Sequence, residues 1–234
     1  LIDPNEIIEI EDLERLTAPL AAGCPIQYVL GRAEFCGEEF IVREGVLIPR
    51  PETSELVGWV AEENRGRAVR ILDIGTGSGC IGISVLKNTK NTTAVLVDIS
   101  DGALAVASEN AERNGVFDRT HFISSDLMKE EISGEFFAVL SNPPYVASQT
   151  YETLEPEIYK EPKAAFVGGE DGADFYRIFT PIYKKHIKEN GFIAYEIGFD
   201  QAKIIKDIAE NCNMSCEIIN DLSGNPRVAV LRLT

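Results

Sequence analysis

A short apolar run at residues 136–140 leads into the tetrapeptide Asn142-Pro143-Pro144-Tyr145. An NH2 group conjugated to a carbonyl or an aromatic ring is a poor nucleophile until acceptors bind its two hydrogens, because its lone pair is delocalised. The Asn142 side-chain oxygen and the Pro143 carbonyl could be those acceptors, and the prolines stiffen the segment. Tyr145 offers an aromatic face to a flat amide. The segment predicts chemistry on an amide or amine nitrogen, with a proline-rich turn as the alternative.

A glycine loop lies upstream, between a strand predicted at 69–74 and a helix predicted to continue at 83–86. Residues 75–82 read GTGSGCIG. Glycines at such a turn permit positive φ and let a ligand approach the backbone, while the helix N-terminus presents amide groups. The same residues also satisfy the G-x-G-x-x-G pattern of dinucleotide-binding proteins. The loop alone therefore leaves both a nicotinamide cofactor and S-adenosylmethionine (SAM) open.

Acidic residues stand at the ends of the predicted strands. Asp73 precedes the glycine loop, where a carboxylate suits the ammonium of a methionine moiety and would repel a pyrophosphate. Asp98 follows a strand predicted at 93–97 and is placed to bind the ribose hydroxyls of either cofactor. Asp126 follows a strand predicted at 121–124 and could accept from an adenine amino group. Each Asp alone is more often a helix cap or turn residue, but that explanation is weak for the set.

Predicted strands and helices alternate along the rest of the chain. Helices are predicted at 54–63, 103–114, 173–188 and 201–211, and further strands at 191–195, 215–219 and 228–233. This alternation predicts an α/β fold with a parallel, doubly wound sheet and an antiparallel strand at its end. An amphipathic helix is predicted at 6–20 and a hairpin at 35–48.

Composition limits the classes of protein that fit. The chain has 234 residues, 44% of them hydrophobic, which suffices for one α/β core with a small appendage. Its five cysteines form no Cys-x-x-Cys pair, so we expect reduced thiols and no metal site. The sequence shows neither an apolar run of membrane-spanning length nor a secretory leader, which favours a cytoplasmic protein without membrane contact. A net charge of -16 argues against duplex DNA as a partner.

Together these segments resemble the HemK/PrmC family of SAM-dependent protein-glutamine N5-methyltransferases, which modify the glutamine of the Gly-Gly-Gln motif in peptide chain release factors. The resemblance runs from about residue 23 to the C-terminus. Beyond the glycine loop and the tetrapeptide, it rests on GCPIQYVLG at 23–31, FCG at 35–37, IPRPET at 48–53, EP at 161–162, GGEDG at 168–172, FYR at 175–177, EIG at 196–198, and Asp221, Gly224 and Arg227. Ser54 stands where the family commonly has Glu.

The resemblance implies a fold and a division of the chain. The fold would be that of class I SAM-dependent methyltransferases, Rossmann-like with a seven-stranded, mostly parallel sheet, plus a remnant N-terminal helical segment and a β-hairpin. Residues 1–31 would be the end of a truncated helical substrate-docking domain. Residues 32–52 would form the hairpin and linker, and residues 53–234 the catalytic domain.

The resemblance also implies roles for single residues. SAM, released as S-adenosylhomocysteine, would bind to Asp73, Gly75, Thr76, Gly77, Gly79, Asp98, Ile99, Asp126, Leu127 and Asn142. Asn142, Pro143 and Tyr145 would be catalytic, with Asn142 and the Pro143 carbonyl binding the substrate amide. Pro144, Tyr145, Arg50 and Glu52 would complete the substrate site.

The expected partner is a peptide chain release factor, and the chain is expected to be a monomer. The alternatives are an adenine-N6 nucleic-acid methyltransferase, which shares the tetrapeptide, and methylation of another protein's glutamine. A DNA enzyme would need a basic target-recognition region, which the sequence lacks. A dehydrogenase would need a neutral or basic pyrophosphate site, and Asp73 opposes it. A cofactor-binding module without activity is the non-enzymatic alternative.

Overall fold

A computed structural model describes residues 10–234 of the chain. It begins with α1 (Ile10–Ala21), which covers most of the helix predicted at 6–20; residues 6–9 of that prediction lie outside the described residues. A short helix, α2 (Ile26–Leu30), follows. Within the described range, no helix has the length and apolar character needed to cross a membrane.

The hairpin begins earlier and is shorter than the segment predicted at 35–48. It pairs β1 (Arg32–Phe35) with β2 (Glu38–Ile41) in antiparallel register. Cys36 and Gly37 both have positive φ, as the favoured two-residue hairpin turn requires. The turn therefore lies at Cys36 and Gly37, close to where the predicted hairpin segment begins.

The remaining strands form one seven-stranded sheet in the order β5-β4-β3-β6-β7-β9-β8. β9 runs antiparallel to both of its neighbours, and the pairs among β3 to β7 are parallel. This confirms the predicted mostly parallel α/β sheet. The strands are β3 (Arg70–Ile74), β4 (Thr93–Asp98), β5 (Thr120–Ser124), β6 (Phe136–Ser141), β7 (Ile187–Glu196), β8 (Met214–Asn220) and β9 (Pro226–Leu233).

Helices cover both faces of the sheet. α3, α4 and α5 pack their apolar residues into a core on one face, and α7 and α8 do so on the other. Both faces of the central strands are therefore buried, which explains why β6 is apolar without alternation. The helices are α3 (Ser54–Glu63), α4 (Cys80–Asn88), α5 (Asp101–Arg113), α6 (Ser148–Tyr151), α7 (Asp174–Tyr183) and α8 (Ala202–Asn211).

The helix predicted at 173–188 ends five residues early. After α7 a 3-10 turn covers Lys184–His186, and β7 starts at Ile187 instead of at residue 191. Ile187 is buried and pairs with Phe136 of β6, with an irregularity in register before Ala138. Strand pairing at this point outweighs the helical preference of the lysines, and single-sequence patterns do not contain that information.

Candidate active site

A cavity of about 330 Å³ lies at the carboxyl ends of the parallel strands β3, β4, β5 and β6. The chain adds β4 and β5 on one side of β3 and β6 on the other, so the cavity lies at the switch point of the sheet, where open α/β folds bind ligands. The predicted site residues that line it are Arg50, Gly75, Thr76, Gly77, Asp98, Ile99, Asp126, Leu127, Asn142, Pro143 and Pro144.

Four predicted site residues are not among the residues that line the cavity: Asp73, Gly79, Glu52 and Tyr145. Gly79 packs closely against helix α4, since a Cβ there would lie 2.7 Å from Ile83 Cδ1. Glu52 is exposed to solvent. The side chains of Asp73 and Tyr145 are bonded to other protein groups behind the cavity wall.

Asp73 is fully buried beneath the glycine loop. Its Oδ2 accepts from the Thr76 hydroxyl at 2.6 Å and from the Gly82 amide at 3.0 Å. Burial raises the pKa of Asp73 to about 6, and these hydrogen bonds act in the opposite direction. Its Oδ1 is buried without a hydrogen-bond partner. The carboxylate thus stabilises the loop from below, and a direct contact with a methionine ammonium stays a prediction.

The backbone of the glycine loop is open to the cavity. Gly75 and Gly77 have φ of 65° and 56°, and a Cβ added at either would meet no atom within 4 Å. Asp98 joins this loop to the end of β4, because its Oδ2 accepts from the Gly77 amide and its Oδ1 from the Ser100 amide, both at 2.9 Å. Each oxygen retains capacity to accept a further hydrogen bond, so hydroxyl groups in the cavity can donate to Asp98.

One end of the cavity combines apolar side chains with a carboxylate. Ile99 is 65% exposed although it is a large hydrophobic residue, and Leu127 and Met128 lie across the same end. Between them Asp126 accepts from the Met128 amide at 3.1 Å. A hydrogen bond from Lys129 lowers the pKa of Asp126. Apolar walls beside an acceptor suit a flat heteroaromatic ring that bears an amino group.

The opposite end contains Asn142 and a hydrogen-bonded network behind it. Asn142 Nδ2 donates to Thr53 Oγ1 at 3.3 Å, and the Thr53 hydroxyl donates to Glu196 Oε2 at 2.5 Å. The Tyr145 hydroxyl donates to Glu196 Oε1 at 3.1 Å. Burial, and then the neighbouring Glu196, raise the pKa of Tyr145, which keeps it protonated. Tyr145 therefore anchors the tetrapeptide from behind the cavity wall.

Sequence reasoning assigned no role to Thr53 beyond its loop and none to Glu196. Thr53 is buried at the start of α3 and lines the cavity, while Glu196 is the last residue of β7 and is 1% exposed. The signal was present, because both residues lie in segments that support the family resemblance. Their contact spans 143 positions of sequence, which no local pattern encodes.

A second glycine segment, residues 168–172, packs against the tetrapeptide. The Gly168 amide donates to the Val146 carbonyl at 3.0 Å, and Gln201 Nε2 donates to the Tyr145 carbonyl at 3.0 Å. A Cβ on Gly168 would lie 2.2 Å from the Pro144 carbonyl oxygen. Only glycine permits this approach, so the segment fixes the backbone that presents Asn142.

The charge of the cavity is negative. Among the described residues that line it, Arg50 is the one cationic side chain, and it pairs with Glu161 at 2.5 Å. Glu161 is buried and also accepts from the Ile48 amide at 3.0 Å. Glu161 matches the charge of Arg50, and Lys129 pairs with Asp126 at 2.6 Å, so the remaining charge is that of Asp98. The site therefore disfavours a pyrophosphate and suits a ligand with hydroxyl, amino or cationic groups.

Comparisons with known proteins agree with this geometry. The family model of the methyltransferase small domain matches residues 53–169. A protein of Flavobacterium psychrophilum named release factor glutamine methyltransferase is 38% identical, over 94% of this chain and 80% of the relative. A Geobacter sulfurreducens protein of the same name is 36% identical, over 94% and 77%.

A solved structure supports the fold. The crystal structure of a methyltransferase from Pyrococcus furiosus superposes with a TM-score of 0.63 at 19% identity, covering 93% of this chain and 97% of that one. At this identity the likeness concerns architecture alone. It confirms the class I methyltransferase fold that the sequence predicted.

Proposed function

The chain belongs to the release factor glutamine methyltransferase family, and we propose that it transfers a methyl group from SAM to the side-chain amide nitrogen, N5, of the glutamine in the Gly-Gly-Gln motif of a release factor. The observation that supports this most is the position of Asn142. Its amide lies at the wall of the same cavity that the glycine loop and Asp98 line. The residue that binds the substrate amide and the cofactor site thus share one cavity.

The residues of the cavity fit SAM. The open backbone at Gly75 and Gly77 admits the methionine portion, Asp98 accepts from the ribose hydroxyls, and Asp126 accepts from the adenine amino group. Ile99 and Leu127 provide apolar surfaces for the ring. When bound, SAM supplies a methyl group activated by the positive charge on its sulfur.

Asn142 and Pro143 orient the substrate nitrogen. The Asn142 oxygen and the Pro143 carbonyl accept its two hydrogens, which directs the nitrogen lone pair toward the methyl carbon. Correct orientation of two reactants can lower a barrier by about 7–11 kcal/mol in the best cases. The same acceptors stabilise the positive charge that grows on nitrogen during transfer.

Among residues 10–234, no strong base lies beside the Asn142 amide. His121 lies on β5 and His186 in the turn before β7, and neither lines the cavity. Glu196 is covered by Thr53 and Tyr145, and Tyr145 itself stays protonated. We therefore propose that the surplus proton passes to water after methyl transfer.

The region outside the cavity would contact the rest of the substrate. Arg50 at the wall and the exposed Glu52 beside it belong to the segment through which the release factor loop would enter. Residues 1–31 would extend that contact as the end of a docking domain, and residues 32–52 would link them to the catalytic domain. A monomeric state and a cytoplasmic location also stay predictions.

Replacing Asn142 with alanine tests the assignment. We expect Asn142→Ala to lower kcat at least 100-fold, because an acceptor aimed at developing charge is lost, while calorimetry finds the Kd for S-adenosylhomocysteine within about threefold of wild type. Asn211→Ala, at the end of α8, is the control and should retain activity. Equal losses of activity and cofactor affinity in Asn142→Ala would contradict the role of Asn142 as the amide reader.

A further inference from the structure

We propose that Glu196 is a positioning residue that acts through Thr53: it sets the direction of the Thr53 hydroxyl and thereby turns the oxygen of Asn142 toward the substrate amide. The inference rests on the proposed function, because it explains how the Asn142 side chain, which binds the substrate amide, acquires its orientation. Glu196 lies one residue layer behind the cavity and is not among the residues that line it.

The first step concerns the single hydrogen of the Thr53 hydroxyl. Glu196 is 1% exposed, and the hydrogen bonds that it receives from Thr53 and Tyr145 favour its ionised form, which can only accept hydrogen bonds. The 2.5 Å contact between Thr53 Oγ1 and Glu196 Oε2 therefore uses the hydroxyl hydrogen. Once that hydrogen is committed, Thr53 can only accept from any other neighbour.

The second step concerns the amide of Asn142. Oxygen and nitrogen of such an amide have nearly the same shape, so only the surrounding hydrogen bonds determine which one points where. The atom 3.3 Å from Thr53 Oγ1 must be the nitrogen, since Thr53 has no hydrogen left to donate. The oxygen consequently points away from Thr53, and Asn142 is among the residues that line the cavity. The reversed amide would present hydrogens to the substrate NH2, and the two donors would repel.

The second oxygen of Glu196 anchors the other end of the tetrapeptide. Tyr145 donates its hydroxyl to Oε1 at 3.1 Å, so both carboxylate oxygens are occupied. Burial raises the pKa of Glu196, whereas the hydrogen bonds from Thr53 and Tyr145 and the charge of Arg227 lower it; Glu52 raises it slightly. One buried carboxylate thus hydrogen-bonds both to Thr53, which contacts the Asn142 amide, and to Tyr145, at the end of the tetrapeptide.

Glu196→Gln tests the relay with minimal change of shape. The glutamine NH2 can donate to Thr53, which frees the Thr53 hydrogen for the Asn142 oxygen and reverses the amide. We expect kcat to fall at least 100-fold while KM for the release factor and the Kd for S-adenosylhomocysteine stay within about threefold of wild type. A kcat close to wild type, in a variant whose neutron structure shows Thr53 donating to the Asn142 oxygen, would overturn the proposal.

A matched pair at Thr53 keeps the test valid if Glu196→Gln does not fold. Thr53→Val removes the hydroxyl at nearly constant volume, and Thr53→Ser keeps it. We expect the kcat of Thr53→Ser to be at least tenfold higher than that of Thr53→Val. Where Glu196→Gln folds, the double variant Glu196→Gln/Thr53→Val should be no worse than its poorer parent, because both substitutions act on one relay. Equal kcat for the valine and serine variants, or additive losses in the double variant, would contradict the relay.

Neutron diffraction from deuterated wild-type crystals determines the orientation of the Thr53 hydroxyl and of the Asn142 amide without any substrate. The proposal predicts deuterium on Thr53 directed at Glu196 and two deuterium atoms on the Asn142 atom nearest Thr53. Deuterium on Thr53 directed at Asn142 would overturn it. If the wild type methylated no release factor, the proposed function would fail while this measurement still decided the orientation, so the two failures are distinguishable.

Discussion

Asp73 is an acidic residue whose pKa depends strongly on its surroundings. Burial raises its pKa from 3.8 to about 6, so the folded chain binds this proton more tightly than the unfolded chain does. The contribution of Asp73 to the free energy of unfolding is therefore fully present below pH about 4 and is lost as pH rises through about 6, by up to about 3 kcal/mol.

Asp73→Asn removes this dependence and keeps an oxygen to accept from Thr76 and Gly82. Relative to the variant, the wild type is expected to lose unfolding free energy between pH 4 and pH 8. Urea denaturation of both proteins at several pH values measures the difference. Parallel curves for the two proteins would show that Asp73 has a normal pKa, contrary to the account.

At the scale of residues, the sequence located the site but not every contact. Residue type and strand-end position were enough to place Asp98, Asp126 and Asn142 around one cavity. They were not enough to show that Asp73 and Tyr145 turn away from it, because the partners of these side chains are set by tertiary packing. Tyr145 bonds to Glu196, 51 positions away.

At the scale of elements, the tetrapeptide depends on the glycine segment that packs on it. Gly172 has φ of 76°, and a Cβ there would lie 2.1 Å from the Tyr145 carbonyl oxygen. Gly115 has φ of 67° and no atom within 4 Å of an added Cβ. The two glycines share a left-handed backbone conformation and differ in what an added Cβ would contact, which makes Gly115→Ala the matched control.

We expect Gly115→Ala to cost about 1–2 kcal/mol of stability through left-handed strain alone and to leave kcat unchanged. Gly172→Ala should cost more and lower kcat at least tenfold, because the Tyr145 backbone must move to relieve the overlap. Thermal unfolding and initial rates on both variants give the comparison. Equal kcat values would mean that this segment does not position the tetrapeptide.

The elements themselves were largely predictable. Helix α3 has the predicted bounds, and each strand predicted from 69 onward is present with ends shifted by a few residues. The errors arose where chain pairing decides the structure: β7 begins at Ile187 because it pairs with β6, and the hairpin turn falls at Cys36 and Gly37. Local sequence patterns indicate which face of a helix or strand is buried and where a helix begins and ends. They do not indicate which other strand or helix it pairs with.

At the scale of the whole molecule, we expect S-adenosylhomocysteine, and not NAD, to stabilise the fold. S-adenosylhomocysteine at 100 times its Kd should raise the free energy of unfolding by about 2.7 kcal/mol, and NAD should have no effect at the same concentration. A melting experiment with each ligand measures this. Stabilisation by NAD and none by S-adenosylhomocysteine would favour the dehydrogenase alternative.

Asp98→Ala tests whether the stabilisation by S-adenosylhomocysteine arises from binding in this cavity. The variant should lose most of the stabilisation by S-adenosylhomocysteine, because Asp98 lines the cavity and joins two of its loops. Asp118→Ala removes the same charge at an exposed position in the turn before β5 and should retain the shift. Equal shifts in the two variants would place the ligand elsewhere.

The architecture as a whole followed from the order of apolar and glycine-rich segments, since alternating strands and helices permit few topologies. Substrate identity required more than this, because the tetrapeptide alone fits a glutamine amide and an adenine amine equally well. The net charge of -16 weighs against duplex DNA, and the family membership favours a release factor.

The central claim is tested most directly by transfer of labelled methyl from SAM to a purified release factor. The assay runs beside a copy whose Gly-Gly-Gln glutamine is changed to alanine and beside duplex DNA. We expect labelled methyl on the wild-type release factor alone. Label on the alanine copy or on the DNA, or no label on the wild-type factor, would contradict it.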